Sequence, residues 1–273
     1  MNTNPTTSGI RTVAATRYVT PLREGGSLPA LVEGCDQGLY VLKFRGAGQG
    51  PRALIAELVA GELARALGLR VPEIVFVQLD PEMARTEPDP EIQDLIRASA
   101  GLNLALDYLP GSVTFDPLVL QPDADEASAI VWHDAFTTNI DRTPRNANLL
   151  VWHQRLWLID HGAALFFHHD WNDFLARASS PFAHVKDHVL LPFASRLPEA
   201  DACLGALLNE DLITHIVSLI PDAWLGGDVP FASVAEHRDA YRQYFCRRLQ
   251  QPRAFAAEAV RAHAAWVAGH PKP

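Results

Sequence analysis

Apolar and polar positions change rhythm once along this chain. In the first part they alternate or gather into short runs. "YVTPLREGGSLPALVEG" and "GLYVLKFRG" predict short strands around a glycine turn, "VPEIVFVQL" predicts another, and "GLNLALDYLPGS" predicts a strand running into a turn. One stretch departs from this: Ile55, Leu58, Val59, Leu63 and Ala66 recur at helical spacing. They predict a helix over about Arg52–Leu67, with Gly68 where a helix-ending glycine belongs. Gly46–Pro51 reads as a flexible connection, residues 1–15 as a loose tail, and "DPEMARTEPDPE" as an acidic, exposed insertion ahead of a short helix near Ile92–Ala98.

Beyond Pro110–Gly111 the period lengthens. Ala127, Ile130, Val131 and Ala135 mark a helix ending near Asn139. "NLLVW" and "LWLID" are β-rich runs around a polar His153–Gln154–Arg155 turn, hence a hairpin, and from about Asp170 onward the signals are mostly helical. The order predicts an α+β, two-lobed architecture: a β-rich N-terminal lobe over residues 1–110 with one main helix, and a mainly helical C-terminal lobe over 111–273 that carries the hairpin.

Bulk properties narrow the function classes. With 273 residues the chain can bury a sizeable core, and a formal charge of −9 disfavours a broad nucleic-acid-binding face. The N-terminal stretch has no apolar signal core, and no run is long enough to span a membrane. Cys35, Cys203 and Cys246 are odd in number and far apart, so each is expected to be a small buried hydrophobe in a reduced, cytoplasmic protein.

The chemistry concentrates in "NIDRTPRNANLLVWHQRLWLIDHGAAL", Asn139 to Leu165. Phosphoryl transfer from ATP needs charge neutralisation, hard oxygen ligands for magnesium, a carboxylate at the attacking hydroxyl and a lysine at the phosphates. Asp141 and Asn146 stand five positions apart, the interval of a kinase catalytic loop, and the hairpin returns the chain so that Asp160 arrives beside them, with Gly162 two positions on. Lys43, one of three lysines, sits between apolar residues in "YVLKF", where an unpaired ammonium would be costly. Its acidic partner is expected from the following helix. Glu62 projects within the apolar stripe and Glu57 on the opposite side, and periodicity does not choose between them.

Three blocks carry a family resemblance: "YVLKFRGAGQGPRALIAELVAGELARALGLRVPE", "NIDRTPRNANLLV" and "LIDHGAAL". In this order they resemble the HipA-like kinases and, more distantly, type II phosphatidylinositol 4-kinases. The resemblance implies a kinase-like fold with Mg²⁺ and ATP as cofactors. It selects Glu57, about eleven positions before Gly68-Leu69, as the partner of Lys43. It makes Asp141 the catalytic acid/base and Asn146 and Asp160 the metal ligands. Arg145 can offer charge to the transferring phosphoryl group. Gly25, Gly26 and Ser27 are candidates to cradle phosphates through main-chain N–H groups, and the backbone around Asp107 and Tyr108 is the expected adenine contact. The implied acceptor is a hydroxyl of a protein Ser or Thr, with a small-molecule or lipid hydroxyl as alternative, and a nucleotide-binding pseudokinase as the competing class.

Departures from the family pattern are local. Thr143 and Arg145 stand where the HipA loop has a His and a Lys, and no Ala-Pro-Glu follows Asp160. The chain is shorter than a full HipA toxin, so the resemblance does not by itself carry over a toxin role or a DNA-binding antitoxin partner. A metal-hydrolase reading of His133-Asp134 and His169-Asp170 is the weaker rival. His161 is expected to hydrogen-bond a neighbouring backbone group.

Overall fold

A computed structural model describes residues 9–22 and 28–270, Thr86 by its backbone alone. Its contacts divide the chain into two compact units. One comprises residues up to Leu54 together with Pro72–Leu109, and the other comprises Ile55–Val71 together with the chain from Pro110 onward.

The first unit is built on a closed barrel. Strand β1 (Thr12–Pro21) runs antiparallel to β2 (Ala30–Gly34), β2 to β3 (Leu39–Lys43), β3 to β5 (Gly101–Asp107), and β5 to β4 (Ile74–Leu79). Parallel pairing of β4 with β1, Thr12 opposite Phe76 and Ala14 opposite Gln78, closes it and leaves no free sheet edge. Alternate residues face inward, so Val13, Ala30, Val32, Tyr40, Leu42, Val75, Val77 and Ala105 form one core. Thr12 opens β1, so the loose tail expected over 1–15 is too long.

Most of the predicted acidic insertion is exposed, as expected, with Ala84 and Glu87 turned inward. Asp80 caps a 3₁₀ turn over Pro81–Thr86, Asp89 caps helix α2 (Pro90–Ala98), and Ala84, Ile92 and Ile96 join the barrel interior. The loop after β3 is anchored rather than a flexible connection. Arg45 N–H donates to Asn103 Oδ1 at 2.7 Å and Gly46 N–H to Ser99 Oγ at 3.0 Å. A Cβ on Gly46 would lie 2.9 Å from Ala98 Cβ, so only glycine permits this approach.

The second unit takes most of helix α1 (Pro51–Ala66), ended by Gly68 at φ +80° with Leu69 N–H returning to Ala64 O. A three-stranded sheet follows in the order β6 (Val113–Thr114), β7 (Leu149–Trp152), β8 (Arg155–Leu158). The β7–β8 turn is tighter than expected. His153 and Gln154 both hold positive φ, and Arg155 already pairs with Trp152. Helix α3 (Ala124–Thr137) is the post of this unit: it packs on α5 (Leu197–Leu207) and α8 (Ala254–Gly269), while α4 (Phe174–Ala178) and α6 (Glu210–Ser218) pack on α7 (Val234–Leu249). Ile130 to Thr137 are all buried, with Trp132 and Phe136 against Phe255 and Phe136 against Phe245. Phe167 and Trp171 are core, whereas Phe166 is about half exposed. The cysteines correct the expectation of burial: Cys35 and Cys203 are exposed, Cys246 is half-buried, and all are free. Among the described residues no helix is long and apolar enough to cross a membrane.

The end of α3 is finished by groups far along the chain. Helix-terminal carbonyls have no partner within the helix. Asp134 O accepts from Asn139 N–H, Thr137 O accepts from Leu165 N–H, and the remaining two go to Arg248, whose guanidinium donates to Phe136 O at 2.8 Å and Ala135 O at 2.7 Å. The same side chain reaches Ala178 O and Ser180 O. Arg248 is thus buried among carbonyl dipoles, and burial lowers its pKa. Replacing it by methionine keeps the bulk and strips the donors from buried acceptors. Arg248→Met is expected to cost about 3 kcal/mol in urea unfolding; a loss under about 1 kcal/mol would show that water replaces the guanidinium.

Candidate active site

Where α3 stops, Thr138 turns left-handed at φ +54° and its Oγ1 accepts from Phe166 N–H, so the chain leaves the helix axis abruptly. Asn139 Oδ1 then accepts from Asp141 N–H at 3.2 Å, and Thr143 and Asn146 pair through their main chains at 3.0 Å each way. This short closed turn lifts Arg145 and Asn146 into solvent and leaves Asp141 half-buried at its base. The Asn146 amide donates to Asp141 Oδ2 at 2.7 Å. Asn148 Nδ2 reaches the same oxygen at 3.3 Å and the main-chain oxygen of Asp160 at 3.5 Å. The hairpin therefore does return Asp160 to Asp141, through one amide. Asp160 itself is half-buried and left-handed at φ +55°.

Beneath this turn lies a buried ion pair that sequence reading missed. Arg142 Nε donates to Asp134 Oδ2 at 2.5 Å, both side chains at zero exposure. The free face of the same guanidinium donates to Asn148 O and lies 3.5 Å from Ala147 O and Ile159 O. One side chain thus ties the end of α3, the turn and the strand leading to Asp160. Asp134 also accepts from Asn139 Nδ2 at 3.1 Å and contacts His188 Nε2 at 2.9 Å. Burial would raise its pKa, but Arg142, His133 and His188 outweigh burial and hold it well below the ordinary value. His188 Nδ1 accepts from Leu190 N–H at 3.0 Å, which leaves Nε2 as the protonated nitrogen. Nothing in the sequence marks this set, because Asp134 and Arg142 share no period and His188 is distant.

Helix α1 separates the two acids that periodicity left open. The helix is buried nearly all round, since small residues such as Ala56, Ala60 and Ala64 widen its contact face. Glu57 is therefore inside, 1% exposed, while Glu62 is partly exposed and pairs with Arg65 at 3.4 Å. His161, completely buried, does not bond a neighbouring backbone group through its ring as expected. Its Nδ1 lies 3.4 Å from Glu57 Oε1, and burial lowers its pKa against the opposing pull of Glu57. The glutamate and the segment after Asp160 are thus in direct contact.

In the first unit, Lys43 ends β3 opposite Leu104 and is buried. The N–H of Asp107 is committed to Glu73 O and that of Tyr108 to Leu39 O, so neither N–H is left to meet a base. Gly25, Gly26 and Ser27 lie outside the described residues. The hydrolase reading fails on placement. Asp134 is spent on Arg142, His133 Nε2 bonds Ala60 O, and no group of three or more His, Cys, Asp or Glu among the described residues is placed to hold a metal.

A family model described as HipA-like kinase matches residues 16–255. The chain belongs to the HipA-like kinases. It is a phosphotransferase by family, as the three motif blocks suggested. Solved structures share its fold: the Helicobacter pylori proinflammatory kinase CtkA at TM-score 0.55 and 12% identity, over 94% of this chain and 99% of that one, and the Golgi casein kinase with Mn and ADP bound at TM-score 0.51 and 11% identity, over 93% and 73%. A β-rich N-terminal part and a helical C-terminal part in one kinase-like fold are thereby established. No curated protein matches.

Two outcomes follow from the buried network. Arg142→Met strands the Asp134 carboxylate and is expected to cost about 3–5 kcal/mol, with part recovered when Asp134→Asn is added, read by chemical denaturation as a double-mutant cycle. Burial, opposed by the Asp134 contact, lowers the His188 pKa below its ordinary 6.5. The unfolded chain then binds the proton more readily. Stability is full above about 6.5 and falls as pH drops below it toward the folded-state value. His188→Gln should flatten that decline between pH 7 and 5; an unchanged slope would remove His188 from it.

Proposed function

We propose that this HipA-like kinase uses Mg²⁺-ATP to phosphorylate a hydroxyl acceptor, with Asp141 as the base that positions and deprotonates it. The observation that carries the proposal is the pair of amides on one oxygen of Asp141, with Asp160 tied in through Asn148. Asp160 and the exposed Asn146 offer hard oxygen donors, few in number, which suits magnesium because it keeps waters and phosphate oxygens in its shell. Bound there, the metal would neutralise charge on the transferring group. Arg145, exposed on the same turn, adds positive charge on the open side. Lys43 holds the nucleotide phosphates and Glu57 orients Lys43. Gly25, Gly26 and Ser27 cover the phosphates. The segment of Asp107 and Tyr108 meets adenine through groups other than the two committed N–H donors.

The acceptor we favour is a Ser or Thr of a protein, on family grounds. The Mn and ADP held by the Golgi casein kinase are ligands of the proposed kind. Free, exposed thiols at Cys35 and Cys203 suit a reducing compartment such as the cytoplasm.

Calorimetric titration with Mg²⁺-ATP should show micromolar-range binding that weakens at least tenfold in Asp160→Ala. Asp141→Asn should keep nucleotide affinity within about threefold while phosphoryl transfer falls by 10² or more. Absence of wild-type binding would reject the nucleotide site; binding without transfer across acceptors would make the chain a pseudokinase.

A further inference from the structure

The kinase reading assigns one amide, Asn146, to the site, yet the structure places two on Asp141. They differ in every physical respect that matters. Asn146 is exposed, so its Oδ1 can reach a metal from the open side while Nδ2 donates to Asp141 Oδ2 at 2.7 Å. Asn148 is 8% exposed and sits two residues on, off the five-residue interval. Its main chain is left-handed at φ +48°, a conformation asparagine tolerates better than other non-glycine residues. Its carbonyl accepts from Arg142 Nη1 and, at 3.1 Å, from Ile159 N–H, so the backbone under the side chain is held from two directions. A primary amide has two N–H bonds. Those of Asn148 face different halves of the site, the Asp141 carboxylate at 3.3 Å and the Asp160 main chain at 3.5 Å. Both contacts lie at the long end of hydrogen bonding.

Resting on the proposed Mg²⁺-ATP kinase reading, we infer that Asn148 is a positioning residue that sets the aim of the Asp141 carboxylate relative to the Asp160 strand, while Asn146 alone of the two amides serves the metal. The burial of Asn148 keeps its oxygen from a metal in the open turn, and its two donors span the two groups whose relative placement phosphoryl transfer depends on. The same amide shares Asp141 Oδ2 with Asn146, so both donors act on one oxygen of the carboxylate.

Three variants separate the roles. Asn148→Gly keeps the left-handed backbone and removes both donors. Asn148→Asp keeps the shape and turns the donors into a carboxylate facing Asp141. Asn146→Ala removes the exposed amide. Calorimetry gives ADP affinity across a Mg²⁺ series, thermal unfolding reports folding, and γ-labelled ATP gives the rate of transfer to water and to the enzyme's own hydroxyls. For Asn148→Gly we expect an unchanged Mg²⁺ requirement for ADP binding, within about twofold, and a transfer rate lowered 10- to 100-fold. Asn148→Asp should be slower still. Asn146→Ala should raise the Mg²⁺ requirement at least fivefold. A Mg²⁺ requirement that rises in Asn148→Gly as much as in Asn146→Ala would overturn the inference by making Asn148 a ligand. Full transfer in a folded Asn148→Gly would overturn it by removing any role. If Asn148→Gly does not fold, Asn148→Asp decides on the same two readouts. Wild-type protein that binds no Mg²⁺-ADP would bring down the kinase reading itself, and binding without any transfer would leave no base to aim; either rejects the inference, and each is distinct from failure of the Asn148 assignment alone.

Discussion

Arg142 inside the second unit is the constraint on which the site depends. A guanidinium at zero exposure is costly unless its charge is answered, and Asp134 answers the charge at 2.5 Å through Nε while Nη1 donates to Asn148 O, with Ala147 O and Ile159 O nearby, and Nη2 is left without a partner among the described residues. Asp134 belongs to the half of α3, Ile130–Thr137, that is buried throughout, so the pair ties the turn carrying Asp141 and the strand carrying Asp160 to that packed half. The network exchanges stability for placement: a buried ion pair contributes little net energy, but it permits few alternative arrangements.

The same logic finishes α3. Its four terminal carbonyls find partners at Asn139, Leu165 and Arg248, so each orphaned acceptor becomes an attachment for a segment that must be somewhere definite. Leu165 lies just past the Asp160 segment, which is therefore held at both ends, by Asn148 and by the helix terminus. Glu57 and His161 add a third attachment, from helix α1 to the residue after Asp160. Pre-organisation of this kind suits phosphoryl transfer, where placement and charge do most of the chemistry.

The sequence alone determined the order of elements and the family. Strand, helix and hairpin periods reflect burial of alternate or every third and fourth residue, which is local, and the motif blocks around Lys43, Asp141 and Asp160 are local too. The five-residue step from Asp141 to Asn146 needed only the chain between them. Tertiary structure decided what depends on distant partners. It closed the β-rich part into a barrel through the parallel β1–β4 pairing, pinned the exposed acidic stretch to the core through Ala84 and the following helix, and buried Glu57 rather than Glu62 because the surroundings of α1, not its own stripe, set its exposure. It also buried Arg142 against Asp134 beneath the turn and made Asn148 a contact of Asp141, since a buried charge or a bridging amide is defined by the groups that fold around it, and Asp134 and His188 in that set lie 54 residues apart along the chain.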